Sequence, residues 1–115
     1  MTLKFEKEIK DVRGNILFCK HENTSINLVE IKKGYARGGH YHKYNQIHFI
    51  ISGKIACFEE NKESGKETRK IVEGNTSVLI PANTAHMFIA IEDTIFLEFF
   101  QKNTALPIIK NIEIL

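Results

Sequence analysis

The chain has 115 residues, of which 43% are hydrophobic and 26% charged, with a formal net charge of +2. That length supports one hydrophobic core and a single domain over 1–115, and the composition excludes a disordered chain. Acidic and basic residues are interspersed without a lysine/arginine block, which argues against nucleic acid or an anionic membrane as partner.

Met1–Lys10 alternates charged and apolar residues and lacks the apolar run of a signal peptide. No apolar stretch approaches the ~20 residues of a membrane span. Cys19 and Cys57 form no C-x-x-C and are read as free thiols of a reducing cytoplasm, with a disulfide between them left open. Ile16–Cys19 is a short apolar run after the turn-like Arg13-Gly14-Asn15. Ser25–Ile31 alternates, with Ile26, Leu28 and Glu30 on one face and Val29 and Ile31 on the other. Gly34, Gly38 and Gly39 then interrupt the pattern. Gln46–Ser52 and Lys54–Glu59, punctuated by Gly53, predict a hairpin, and the polar run Glu60–Glu67 a surface loop. Thr68–Val72 and Ser77–Ile80 follow, the second ending at Pro81, which cannot donate to a sheet ladder. His86–Ile91 and Thr94–Phe100 form a last pair around Glu92-Asp93. The tail over 104–115 is read as an edge strand or a dimer arm.

Nine or ten short strands with almost no helix signal predict an all-β sandwich or closed barrel. Ile47–Ile51 and Ile95–Phe100 are apolar on both faces, so both faces are expected to be covered, and a homodimer is one way to supply the second cover.

Three of the five histidines fall in Gly39–His48. On an extended chain His40 and His42 point to one face. The spacing Gly34, His40-x-His42, Gln46, Gly53 resembles the first motif of the cupin superfamily. Gly74–Ile80, Pro81-Ala82-Asn83 and His86 resemble its second motif, with one extra residue between Gly74 and Pro81. Gln46 stands where the family usually has glutamate, Asn83 where it has glycine, and Ala90 where it has asparagine. Asparagine tolerates left-handed turns better than most residues, so the Asn83 change is mild.

The resemblance implies a small antiparallel β-barrel of the jelly-roll type, with the motif side chains converging inside. It also implies a divalent metal (zinc, iron, manganese or nickel) held by His40, His42 and His86, with Gln46 as a weak neutral fourth ligand. Without a carboxylate ligand such a site keeps the full +2 charge of the ion.

Gln46, Arg37-Gly38 and Asp11-x-Arg13-Gly14 also resemble one branch of the superfamily, the nucleotide-sugar cupins, which includes sugar 3,4-ketoisomerases and, more distantly, epimerases. By that resemblance Arg37 contacts a sugar nucleotide, and the first-motif histidines move protons without metal. His86 pulls the reading back toward metal.

His48 shares strand parity with Gln46 and is expected inside the barrel, as a substrate contact or proton shuttle, or as a core histidine bonded to a neighbour. Glu98 shares parity with Phe96 and Phe100, which makes it a candidate inward carboxylate, either a general acid or base or the partner of a rim cation. Tyr35, Tyr41 and Tyr44 read as packing residues around the site, and His21 as a surface residue in a turn. Arg37, His48 and Glu98 are therefore the candidate catalytic residues. The functions in view are a metal-binding cupin of isomerase or epimerase type acting on a sugar or sugar nucleotide, an iron-dependent dioxygenase, and a non-catalytic small-molecule-binding module. One fold hosts all three.

Overall fold

The computed structural model describes residues 3–101, apart from the side chains of His40 and Gln101. The expected edge strand or dimer arm at 104–115 lies outside them. Ten strands form: β1 (Lys4–Asp11), β2 (Gly14–His21), β3 (Thr24–Ile31), β4 (Ala36–His40) and β5 (Asn45–Ser52). β6 (Lys54–Asn61), β7 (Glu67–Glu73), β8 (Thr76–Ile80), β9 (Thr84–Ala90) and β10 (Thr94–Gln101) complete the set.

One sheet runs β1-β2-β3-β10-β5-β8 and the other β4-β9-β6-β7, with every pairing antiparallel. The inner faces meet in one core. Val29, Ile50, Val78, Ile80 and Phe96 come from the larger sheet, and Ile55, Cys57, Val72, Phe88 and Ala90 from the smaller. Full burial of each valine, isoleucine or phenylalanine among them contributes about 1.5–3 kcal/mol. Both cysteines are free thiols. Among the described residues no helix is long and apolar enough to cross a membrane.

Several elements depart from expectation. Gln46–Ser52 and Lys54–Glu59 form no hairpin, and His86–Ile91 and Thr94–Phe100 no pair, because β5 and β10 lie in the larger sheet and β6 and β9 in the smaller. Lys4–Asp11 forms a strand ahead of the first one read from the sequence. It is an edge, where charged side chains deter pairing with another chain. The histidine-bearing strand β4 stops at His40, so His42 sits in the connection beyond it rather than on the same strand.

Gly38 explains how β4 reaches its partner. Its φ is +121°, and a Cβ there would collide with the His86 carbonyl and the Met87 Cα. The register shifts between Gly38 and His40, after which His40 stands opposite His86. Asn83 adopts φ 61°, the left-handed conformation expected of it. Its N–H donates to the His42 carbonyl at 2.8 Å, tying the β8–β9 turn to the segment that carries His42.

Phe96 is 1% exposed and packs edge-on against Phe88 and His48, at centroid distances of 5.5 and 5.4 Å. Phe96→Ala is expected to cost about 3–5 kcal/mol, read as a lower urea midpoint with an unchanged slope.

Candidate functional site

At one end of the sandwich the core gives way to a cavity of about 370 Å³. Apolar walls come from Ile16, Val29, Phe88, Phe96 and Phe100, and polar groups enter from Arg13, Asn27, Arg37, His42, Gln46, His86 and Glu98. A more open depression of about 550 Å³ lies against Phe58, Arg69 and Met87 of the smaller sheet. The interior cavity is the candidate site, because it gathers His42, Gln46 and His86 from both motif segments.

The polar groups arrive by register. Asn27, Glu98 and His48 stand side by side on β3, β10 and β5. Asn27 Nδ2 donates to Glu98 Oε1 at 3.2 Å, and Glu98 Oε2 lies 3.7 Å from His48 Nδ1, too far for a hydrogen bond. Glu98 is thus the inward carboxylate that its parity predicts. His48 is fully buried and lies behind the cavity wall, bonded to a neighbour. Its Nε2 is 3.0 Å from Gln46 Oε1; a carbonyl oxygen only accepts, so His48 donates from Nε2. Burial pushes the His48 pKa well below the ordinary imidazole value, and His86 and His42 push the same way, so the ring is neutral.

The His42 and His86 rings are 6.1 Å apart, with His42 edge-on to Phe100 at 4.8 Å. The backbone of His40 pairs with His86, and its side chain lies outside the described residues. Among the described residues no three His, Cys, Asp or Glu side chains are grouped to hold a metal ion.

Asp11-x-Arg13-Gly14 proves to be both a turn and a part of the site. It closes the β1–β2 hairpin, with Asp11 Oδ1 accepting the Arg13 backbone N–H at 2.8 Å. The same carboxylate receives Arg37 Nη2 at 3.3 Å, while the Gly14 carbonyl receives it at 2.8 Å. Arg37 is 10% exposed, and burial, with Arg13 nearby, lowers its pKa while Asp11 opposes the shift. Arg13, Asn27 and Phe100 were not singled out from the sequence; the D-x-R-G turn was the available signal for Arg13. Tyr35, Tyr41 and Tyr44, expected as packing residues, are 43%, 54% and 46% exposed. His21 ends strand β2 and is half-buried rather than lying in the turn.

The cupin domain family matches residues 27–100. The chain belongs to the cupin family. No curated protein matches it in sequence. Among solved structures, this cupin is similar to the capsular polysaccharide assembling protein CapF from Staphylococcus aureus, at 18% identity and TM-score 0.71, over 93% of this chain and 31% of that one. It is also similar to an S161A mutant of Bacillus subtilis oxalate decarboxylase OxdC, at 19% identity and TM-score 0.76, over 85% of this chain and 28% of that one. The chain therefore spans about a third of the length of these proteins, and the likeness concerns the fold.

The Asp11 carboxyl is held below its ordinary pKa, first by the side-chain hydrogen bond from Arg13 and then by its backbone N–H and by Arg37. A depressed carboxyl pKa stabilises the fold above the unfolded value, and that stability is lost as pH falls through the folded value. In Arg13→Ala, NMR titration should show the Asp11 midpoint returning toward that of an ordinary carboxylate, with the acid limb of unfolding shifted to higher pH. An unchanged midpoint would mean that Arg13 does not hold Asp11.

Proposed function

We propose that this cupin is an isomerase- or epimerase-type enzyme acting on a sugar or sugar nucleotide in the cytoplasm, as a homodimer, with a divalent metal at His40, His42 and His86. The observation that carries the reading is Glu98: an inward carboxylate, bonded by Asn27, in the same cavity as His42 and His86. The fold likeness to a capsular polysaccharide assembling protein supports the sugar class.

Two imidazoles 6.1 Å apart, tilted by 48° and entering one cavity, fit the donor chemistry of zinc, iron, manganese or nickel. Gln46 fits less well as a ligand, because its carbonyl oxygen is turned to His48. A bound ion would supply Lewis acidity toward a carbonyl oxygen. The chain's own residues do the rest. Glu98 accepts or returns the proton on the carbon beside that carbonyl, and Asn27 holds its second oxygen in place. Phe88, Phe96 and Phe100 exclude water. A volume near 370 Å³ suits a sugar-sized group, and the half-exposed Arg13 and the buried Arg37 offer positive charge to an attached phosphate.

The Gln46–His48 bond favours one second reading, metal-free proton transfer by the first-motif histidines, since it leaves the glutamine satisfied without an ion.

Elemental analysis of protein purified without chelating resin separates the two. Stoichiometric metal, lost in His86→Ala, supports the first reading, whereas metal-free native protein selects the second. With keto-sugar nucleotides in deuterated water, proton NMR should show exchange beside the carbonyl, and Glu98→Gln should slow it by about 100-fold or more with binding nearly unchanged. If no keto-sugar nucleotide binds at millimolar concentration, the sugar reading fails.

A further inference from the structure

Gln46 stands at a ligand position in the first motif, yet its amide is turned the other way. The residue is 4% exposed and forms part of the wall of the interior cavity. Its Oε1 lies 3.0 Å from Nε2 of His48, whose fully buried ring sits behind that wall. A planar amide cannot aim both heavy atoms at one partner, so with the carbonyl turned to His48 the NH2 group turns to the cavity. Among the described residues no acceptor takes a hydrogen bond from Gln46 Nε2. Nor is that nitrogen sealed off as His48 Nδ1 is; it stays in contact with the cavity space. Two N–H donors therefore open on the same space as Glu98, His42 and His86.

The ring proton of His48 sets this direction. A neutral imidazole carries one proton, and when the ring is buried that proton needs an acceptor. At Nε2 it has one, the Gln46 carbonyl oxygen. At Nδ1 it would have none, because Glu98 Oε2 at 3.7 Å is beyond hydrogen-bond reach. Turning the amide over would set the Gln46 NH2 against the His48 N–H, donor against donor. Packing holds the ring in place: Phe88 and Phe96 meet it edge-on at centroid distances of 4.6 and 5.4 Å. The carbonyl oxygen is thus committed to the wall. What Gln46 offers the cavity is a donor, and a metal ion needs a lone pair.

We propose that Gln46 is no metal ligand and instead donates from its NH2 group to the carbonyl oxygen of the bound substrate. The sugar reading above supplies that acceptor, the oxygen beside the carbon that exchanges its proton with Glu98; the direction of the amide does not rest on it. A fixed donor at that oxygen gains strength as negative charge develops there. A carboxylate at position 46, the usual residue of the family, would repel the same charge.

Nitrogen NMR of isotope-labelled full chain locates the His48 proton. It is expected on Nε2 before and after zinc is added, and a proton on Nδ1 overturns the proposal. Cobalt(II) titration then compares wild type with Gln46→Leu, Gln46→Glu and His86→Ala, each checked for fold by circular dichroism. Gln46→Leu should weaken cobalt binding by less than about 10-fold and His86→Ala by more than about 100-fold. An equal loss in both makes Gln46 a ligand and overturns the proposal. Gln46→Glu keeps an acceptor for His48 while removing the donor, so it decides the matter if the leucine variant does not fold. Calorimetry with a keto-sugar nucleotide should show both Gln46 variants binding about 10-fold or more weakly, since the substrate oxygen loses its donor. Equal binding by wild type and variants overturns this proposal alone. No cobalt in wild type overturns the metal reading, and the ring proton and the nucleotide titration still decide this one. No keto-sugar nucleotide bound by wild type overturns the sugar reading and the acceptor assigned here with it.

Discussion

A neutral imidazole with no exposure to water, His48, anchors the polar end of this sandwich. A buried polar ring is costly unless it is bonded, and His48 meets that constraint at Nε2 by donating to Gln46, while its Nδ1 makes no hydrogen bond. Those contacts require β5 and β10 to pair in one register only. A slip of β5 by one residue would turn His48 and Gln46 outward, away from Glu98, and bring Ile47 and Phe49 to the inner face. The same pairing fixes Asn27 beside Glu98 from the other flank. The strands that build the hydrophobic core thus also determine which polar groups reach its open end.

The cavity divides its work by position. Phenylalanines line the walls, His42 and His86 enter from the motif segments, and Arg37 is held at the other side by Asp11 and two backbone carbonyls. Gln46 is the residue whose meaning changes most. In the motif it stands at a ligand position, but in the fold its carbonyl oxygen serves His48. It therefore links the buried histidine to the cavity wall, which accounts for a neutral amide at a position where the family usually places a carboxylate. Glu98, on a different strand, supplies the carboxylate that the cavity retains.

Much of this was legible from local pattern. Period-two alternation placed His48 and Glu98 inside, and both motif segments were visible as spacing. Asn83 fulfilled its expected left-handed turn. What escaped was non-local. Asn27 is an ordinary polar residue in an alternating strand until the β3–β10 register sets it against Glu98. Arg13 joins the site because a hairpin turn on β1–β2 happens to lie beside β4. The first strand was not assigned from the sequence, although its charged and apolar residues alternate. The break after His40 follows from a glycine-rich bulge, whose position depends on how closely β4 approaches β9.

The most direct measurement is an anomalous difference map from crystals soaked in manganese or zinc. The account predicts a peak inside the interior cavity within bonding distance of His42 and His86, with the Gln46–His48 bond intact. A map with no peak between those histidines, or with metal only on the outer surface, would contradict it.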